Sequence, residues 1–318
     1  MKINPLLVCA LALPSIAFAQ TTWTGATDSV FSTSTNWTAG TPDISGNDGF
    51  ITGTGPAVSI DNSFSSNVTQ TGNTVTWDVT AAKNFSGGVY NLNGGTFDLA
   101  TSNIFILNGS TMNVDGGSFT ASVGAGSIRF VGTAATLNIY STVSMPLTTN
   151  NQRDGSMLID GVTATFGTYL YALNGVVNPL LTIQNGGTLD VSLLQYGANP
   201  DTGYGQITMG SGVNSIVAAN TTGRFTEFNF DFEADSVGSS ITVAGASAPD
   251  EATWISQWAA GKLTVAGSNS GDFADYFTFS GDTLTLTSVP EPGMYALFLS
   301  LGILGCVIRR RQSKANRC

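Results

Sequence analysis

Short runs in which apolar and polar residues alternate recur along the middle of the chain. Near the C-terminal end of this region, Phe228, Phe230 and Phe232 alternate with polar residues. A period of two residues is that of a β-strand with one buried face. Glycine and asparagine separate the runs, and both residues favour turns. The pattern predicts an all-β body of many short strands.

Some of these runs are repeated at an interval of 22 residues. Asn91–Phe97 aligns with Asn113–Phe119, and Thr111–Val114 is similar to Thr136–Ile139; a further related run is Ile183–Val191. Repeats of roughly 20 to 25 residues built from strands and glycine turns are typical of β-solenoids. We therefore predict a parallel β-helix or β-solenoid over residues 20–222, with a β-sandwich as the alternative.

Residues 223–288 have a different pattern. A strand over the three phenylalanines is followed by Pro249, Asp250 and Glu251, which favour the first turn of a helix. Apolar residues then follow at helical spacing, with a glycine where the helix would end: Trp254, Ile255, Trp258, Ala259 and Gly261. A hairpin turning at 280–282 completes the segment. We expect this strand, helix and hairpin to form a C-terminal cap on the solenoid.

Composition and charge exclude several classes of function. Only 10% of the residues are charged and the net charge is −10, so the acidic body would repel nucleic acid. The chain has no histidine, which removes histidine-based catalysis and histidine-ligated metal sites. Its cysteines are Cys9, Cys306 and Cys318, so residues 20–288 contain neither a disulfide nor a thiolate ligand.

The N-terminus has the pattern of a signal peptide over residues 1–19. Lys2 precedes a short apolar stretch, and Ala17 and Ala19 occupy the small-residue positions of a cleavage site. The apolar stretch is too short to span a bilayer. We predict that the Sec export machinery translocates the chain and that Gln20 begins the mature protein.

Aromatic residues mark the start of the mature chain. Trp23, Phe31 and Trp37 alternate with small polar residues in a W-x-G … N-W pattern. This opening resembles that of bacterial surface proteins with autotransporter-associated β-strand repeats. The resemblance implies that the aromatic residues cap the first turn of a solenoid. An aromatic platform that binds sugars is the alternative interpretation.

The best candidate for a chemical site is the set of carboxylates Glu227, Asp231 and Glu233. Residues two apart on one strand face lie about 6.5 to 7 Å from each other, which is near the separation of carboxylates in glycosidases. Such oxygens, or those of Asp272 and Asp275, would also suit Ca²⁺. The same alternation is expected of any strand with one solvated face. We therefore predict that the protein is not an enzyme and has no cofactor, with Ca²⁺ as the one open possibility.

Residues 289–318 combine three features in order. Pro290, Glu291 and Pro292 are followed by the apolar run Met294–Ile308, which would be roughly 23 Å long as a helix, and then by a basic cluster: Arg309, Arg310 and Arg311. The arginines place the C-terminus in the cytoplasm if the run spans the membrane.

This order resembles the PEP-CTERM sorting signal of Gram-negative bacteria. The resemblance implies that an exosortase, a membrane cysteine protease, recognises Pro290, Glu291 and Pro292 and cleaves near them. The segment after the arginines, Gln312–Cys318, is slightly longer than usual.

The sequence therefore predicts an exported structural or adhesive protein. It would pass through an inner-membrane intermediate, held by its C-terminal transmembrane helix, to the cell surface or the extracellular matrix, where exopolysaccharide is a possible partner. A secreted carbohydrate-binding or carbohydrate-active protein on the same scaffold is the alternative. A third possibility is a membrane-anchored protein that keeps its tail.

Overall fold

The chain folds into a β-solenoid. The computed structural model describes residues 20–42, 47–53, 55–77, 83–99, 104–121, 127–145, 150–152, 155–171, 180–196, 205–221 and 225–289. Strands of successive turns pair in parallel, so neighbours in a sheet are not neighbours in the chain. A β-sandwich built from hairpins would instead pair consecutive strands antiparallel. The predicted solenoid is confirmed, and the sandwich alternative is wrong.

The strands of the described residues are short, and only four of them exceed five residues. In chain order they are β1 (Gln20–Thr22), β2 (Asp48–Ile51), β3 (Val58–Ile60), β4 (Val68–Trp77), β5 (Lys83–Ser86), β6 (Val89–Leu99), β7 (Ile104–Asn108), β8 (Thr111–Val114), β9 (Ser118–Ala121), β10 (Ser127–Val131), β11 (Thr136–Ile139), β12 (Val143–Met145), β13 (Asn150–Gln152), β14 (Ser156–Asp160), β15 (Thr163–Tyr171), β16 (Leu180–Gln184), β17 (Thr188–Tyr196), β18 (Gly205–Met209), β19 (Ser215–Ala218), β20 (Phe228–Phe232), β21 (Ser240–Val243), β22 (Leu263–Val265), β23 (Phe277–Ser280) and β24 (Thr283–Leu286).

A turn of the solenoid contains three strand segments, as β8, β9 and β10 show. The first segments stack in the order β1, β2, β4, β6, β8, β11, β14, β16, β18, β20 and β22. The second segments are β3, the C-terminal halves of β4 and β6, β9, β12, the N-terminal halves of β15 and β17, β19, β21 and the hairpin β23–β24. The third segments begin at β5, β7 and β10. We call the outward sides of the first and second segments the first face and the second face.

The sequence repeats are the stacked turns. Asn91 pairs with Asn113 and Phe97 with Phe119, as the 22-residue alignment predicts. At the corner between the first and second segments, Gly95 and Gly117 have φ of 79° and 75°, a conformation that favours glycine. A Cβ on Gly95 would lie 2.3 Å from the carbonyl oxygen of Asn73 one turn earlier. The glycine pairs thus allow the turns to stack closely at this corner.

The interior is a continuous apolar core that also holds buried polar contacts, among them one between Gln70 and Tyr90. Inward Leu, Ile, Val, Met and Phe side chains from successive turns form a single cluster. Within it, the Tyr90 hydroxyl donates to Gln70 Oε1 at 2.7 Å. The Gln70 amide donates to the carbonyl oxygens of Asn73 and Thr96. Because buried polar groups are costly without partners, these bonds allow Gln70 and Tyr90 to be buried.

The C-terminal elements agree with the prediction in type and position. The Phe228, Phe230 and Phe232 side chains are buried in β20. Helix α1 (Glu251–Ala259) is capped by Asp250, whose side chain accepts a hydrogen bond from the Thr253 amide. A short helix, α2 (Phe273–Tyr276), precedes the antiparallel hairpin β23–β24. Parallel pairing continues past residue 222, through β20, β21 and β22.

Two details differ from the sequence pattern. Ile255 is 46% exposed, because α1 buries the face formed by Trp254, Gln257 and Trp258, and Ile255 lies outside that face. Glu227 ends a short 3₁₀ turn, Phe225–Glu227, before β20 begins, so it is not part of the alternating strand.

The described residues contain no helix long and apolar enough to cross a membrane. The predicted transmembrane run Met294–Ile308 lies outside the described residues. So do Pro290–Pro292, the three arginines, and Ala17 and Ala19 of the predicted signal cleavage site. Gln20 begins β1 and pairs with Asp48.

Candidate functional site

The three residues of the predicted carboxylate set have different surroundings. Glu227 lies 3.8 Å from the Lys262 ammonium nitrogen. Asp231, in β20, accepts hydrogen bonds from the Thr264 hydroxyl at 2.7 Å and the Gly267 amide at 2.9 Å. Glu233 follows β20 and is exposed. The three acids therefore have separate environments, and two of them have partners of their own.

Side chains that could bind a metal ion are likewise not grouped together in the described residues. No group of three or more acidic or cysteine side chains that could hold a metal ion occurs in the part of the chain that the structure describes. Asp272 precedes α2 and Asp275 lies within it, and both side chains are exposed.

The N-terminal aromatic residues are part of the core. Trp23, Phe31 and Trp37 are at most 4% exposed. Trp37 packs edge-on against both of the other rings, with centroid distances of 5.3 Å and 5.1 Å. The Trp23 and Trp37 indole nitrogens donate to the carbonyl oxygens of Pro56 and Phe31. Buried rings cannot form a sugar-binding platform, so the described geometry excludes that interpretation for these residues.

Side-chain amides form a ladder on the first face. The Asn113 amide donates to Asn91 Oδ1, and the Asn138 amide donates to Asn113 Oδ1, both at 2.8 Å. Asn91 in turn donates to the Thr69 hydroxyl at 3.3 Å. Each side chain bonds to the equivalent position one turn away, because parallel in-register strands bring identical positions together. We call these four residues the amide ladder.

Beside the amide ladder, an exposed tyrosine lies between acidic residues. The Tyr140 amide donates to the Val114 carbonyl, which sets Tyr140 beside Asp115 on the preceding turn. On the following turn, Asp160 accepts hydrogen bonds from Gln184 and Asn185. Tyr140 is 41% exposed. An exposed aromatic ring flanked by hydrogen-bonding oxygens offers a stacking surface and acceptors for a sugar.

Hydroxyl groups dominate the second face. All of its outward strand positions except Asp98, Asp190 and Val217 are threonine or serine. These are Ser59, Thr74, Thr76, Thr96, Ser118, Thr120, Ser144, Thr163, Thr165, Thr188, Ser215, Ser240, Thr242, Thr278, Ser280, Thr283 and Thr285. They form two columns, since residues i and i+2 of a strand share a side.

Two surface carboxylates are held in the ionised form. Hydrogen bonds from the Val30 amide and the Asn36 side chain lower the pKa of Asp28. The Thr253 hydroxyl and amide lower the pKa of Asp250 at the start of α1. A general acid needs the opposite shift. Both groups therefore act as local structural caps.

No protein-family model matches the chain, and no curated protein and no solved structure matches it. Neither the hydroxyl columns nor the Tyr140 setting is visible as a motif in the sequence. Their residues come together only through stacking of turns of unequal length.

Proposed function

We propose that the protein is an exported structural or adhesive component of the cell surface or extracellular matrix, sorted by an exosortase. The observation that carries the proposal is the order of features at the C-terminus, with Pro290–Pro292 before an apolar run and the cluster Arg309–Arg311. The signal-peptide pattern at the other end supports export. A β-solenoid body supports a structural role, because its stacked turns form a long, rigid surface.

The location of the protein in its host tests this proposal. We expect the wild-type protein in the surface or matrix fraction. A variant in which Pro290, Glu291 and Pro292 are all alanine should accumulate in the inner membrane at full length, because the exosortase would lack its recognition element. The matched control is Pro249→Ala/Glu251→Ala, which changes the other proline and glutamate pair of the chain and leaves the tail intact. Identical fractionation of all three proteins would refute the sorting mechanism.

A second candidate function, binding of a surface polysaccharide, is supported by the setting of Tyr140. Its ring is exposed, Asp115 lies beside it and Asp160 is on the next turn. Tyr140→Ala should lower glycan affinity by about tenfold, since losing one aromatic contact costs about 1.4 kcal/mol. Ile255→Ala, which truncates an exposed apolar residue on α1, serves as the control. A glycan array on which wild type and Tyr140→Ala give the same signals would eliminate this candidate.

A further inference from the structure

The second face is a two-column array built mainly of hydroxyl groups and interrupted at Asp98, Asp190 and Val217. Neighbouring strands repeat at about 4.8 Å, and the two columns lie about 6.5 to 7 Å apart. Several of the hydroxyls are fixed by one another. Those of Thr96 and Ser118 are 3.1 Å apart, and those of Thr242 and Thr283 are 2.9 Å apart. A hydroxyl has one donor and two acceptor sites, so each still offers bonding capacity to a ligand.

Strand propensity alone does not account for this composition. Threonine is favoured on strands generally, but the first face, on the same solenoid, carries Asn113, Leu158, Gln206 and Asp231 at its outward positions. The contrast extends through the C-terminal hairpin. There the chain direction reverses, yet its outward positions are Thr278, Ser280, Thr283 and Thr285. The first face also carries hydroxyls, such as those of Thr111, Thr182 and Thr208, but on the second face they occupy all but three of the outward positions in the described strands and are kept where the chain direction reverses.

The chemistry of the face restricts its ligand. None of the outward second-face positions in the described strands is basic or aromatic, whereas single sugar chains are held largely by aromatic stacking and planar polar groups. The charged residues among these described outward positions are Asp98 and Asp190, and Asp98 accepts a hydrogen bond from Thr120. The complementary ligand is uncharged, rigid and periodic in two dimensions, and both donates and accepts hydrogen bonds. The oxygen lattice of ice has these properties, and its row spacings are close to both spacings of the array.

We infer that the second face is an ice-binding surface, on which the threonine hydroxyls and methyl groups order water into a lattice continuous with the crystal. A rigid, preformed array favours such binding, because little conformational entropy remains to be lost. Val217, at 39% exposure, supplies methyl groups as threonine does. The inference does not depend on the exosortase proposal, since it concerns the solenoid body alone.

Partitioning into slowly grown ice tests the inference directly with the purified full chain. We expect the wild-type protein to be enriched in the ice and to shape the crystals. Thr163→Lys/Thr188→Lys places two lysines on neighbouring turns of the second face and should reduce the ice-bound fraction by about tenfold or more. Thr182→Lys/Thr208→Lys makes the same change on neighbouring turns of the first face and should leave ice binding unchanged.

The outcomes separate the alternatives. Exclusion of the wild-type protein from ice would overturn the inference, as would equal losses in the two lysine variants. Binding to insoluble neutral polysaccharide through Thr163 and Thr188, without ice binding, would overturn it in favour of a glycan surface. If the melting temperature shows that the second-face pair has unfolded, the single variant Val217→Lys replaces it, because an exposed position tolerates lysine. Undiminished ice binding in that variant would then contradict the inference.

Discussion

The first and second faces of the solenoid share one inward pattern and differ in outward chemistry. Beneath both, apolar side chains alternate with outward residues at a period of two. On the outside, the first face carries the amide ladder, Tyr140 and scattered apolar residues, whereas the second face is almost entirely threonine and serine. Stacking thus dictates the inward residues of every turn, and the outward residues are free to differ between faces.

The comparison shows which outward residues stabilise the fold and which ones mainly determine the chemistry of the surface. The amide ladder links successive turns through side-chain hydrogen bonds, so it contributes to the fold. The central threonines of the second face present polar groups to solvent at a constant spacing. Substitutions should therefore have different consequences on the two faces, although the core beneath them is equivalent.

The largest expected effect comes from the core under either face. Leu137→Ala beneath the first face and Ile216→Ala beneath the second should each lower the free energy of unfolding by about 2 to 5 kcal/mol, because both side chains are fully buried. Urea denaturation measures the loss. The outward neighbours provide the controls, since Thr136→Ala and Ser215→Ala should stay within about 0.5 kcal/mol of wild type. Equal losses in the free energy of unfolding for the inward and outward variants would contradict the alternation of buried and outward positions.

A smaller loss is expected from the buried polar contact under the first face. Tyr90→Phe removes the hydroxyl that donates to Gln70 Oε1 and leaves that oxygen buried without this donor. The free energy of unfolding should fall by about 1 to 3 kcal/mol. If urea denaturation showed no change in the free energy of unfolding, Gln70 would have to be solvated.

The same tyrosine predicts a dependence on alkaline pH. Burial raises the pKa of the Tyr90 hydroxyl well above its ordinary value of 10.0, so the folded protein keeps the proton after the unfolded chain has lost it. Its contribution to stability is therefore complete below pH 10 and is lost above it, by at most about 1.4 kcal/mol per pH unit. Above pH 10, the melting temperature should fall more steeply with rising pH for wild type than for Tyr90→Phe. If the melting temperatures of the two proteins fell equally with pH, the burial of the Tyr90 hydroxyl would be contradicted.

The smallest expected effect is the difference in stability loss between outward substitutions on the two faces. Asn113→Ala breaks two rungs of the amide ladder and should cost about 1 kcal/mol. Thr165→Ala, at a half-buried outward position of the second face, should cost less than about 0.5 kcal/mol. Differential scanning calorimetry can rank the two variants. A larger loss for Thr165→Ala would reverse the assignment of structural and surface roles.

The sequence predicts the architecture well where local pattern and stacking agree. Asn91 and Asn113 repeat because stacking places equivalent residues in register, and Gly95 is needed where the backbones of successive turns nearly touch. Helix α1 and the hairpin follow from local signals at Asp250 and Gly281.

The sequence could not predict features that depend on three-dimensional context. Glu227 leaves the strand because a 3₁₀ turn intervenes. Tyr90 and Gln70 are polar residues at core positions, and their burial depends on their mutual hydrogen bond and on the bonds from the Gln70 amide to backbone carbonyl oxygens. The second face cannot be recognised in the sequence, because the turns differ in length and stacked residues such as Thr163 and Thr188 do not recur at a constant interval.

The intact mass of the mature protein from its native host is the most direct test of the central claim, that this solenoid is exported and sorted through its C-terminus. The account predicts a chain that begins at Gln20 and ends near Pro290. A chain that still begins at Met1 or still ends at Cys318 would contradict it.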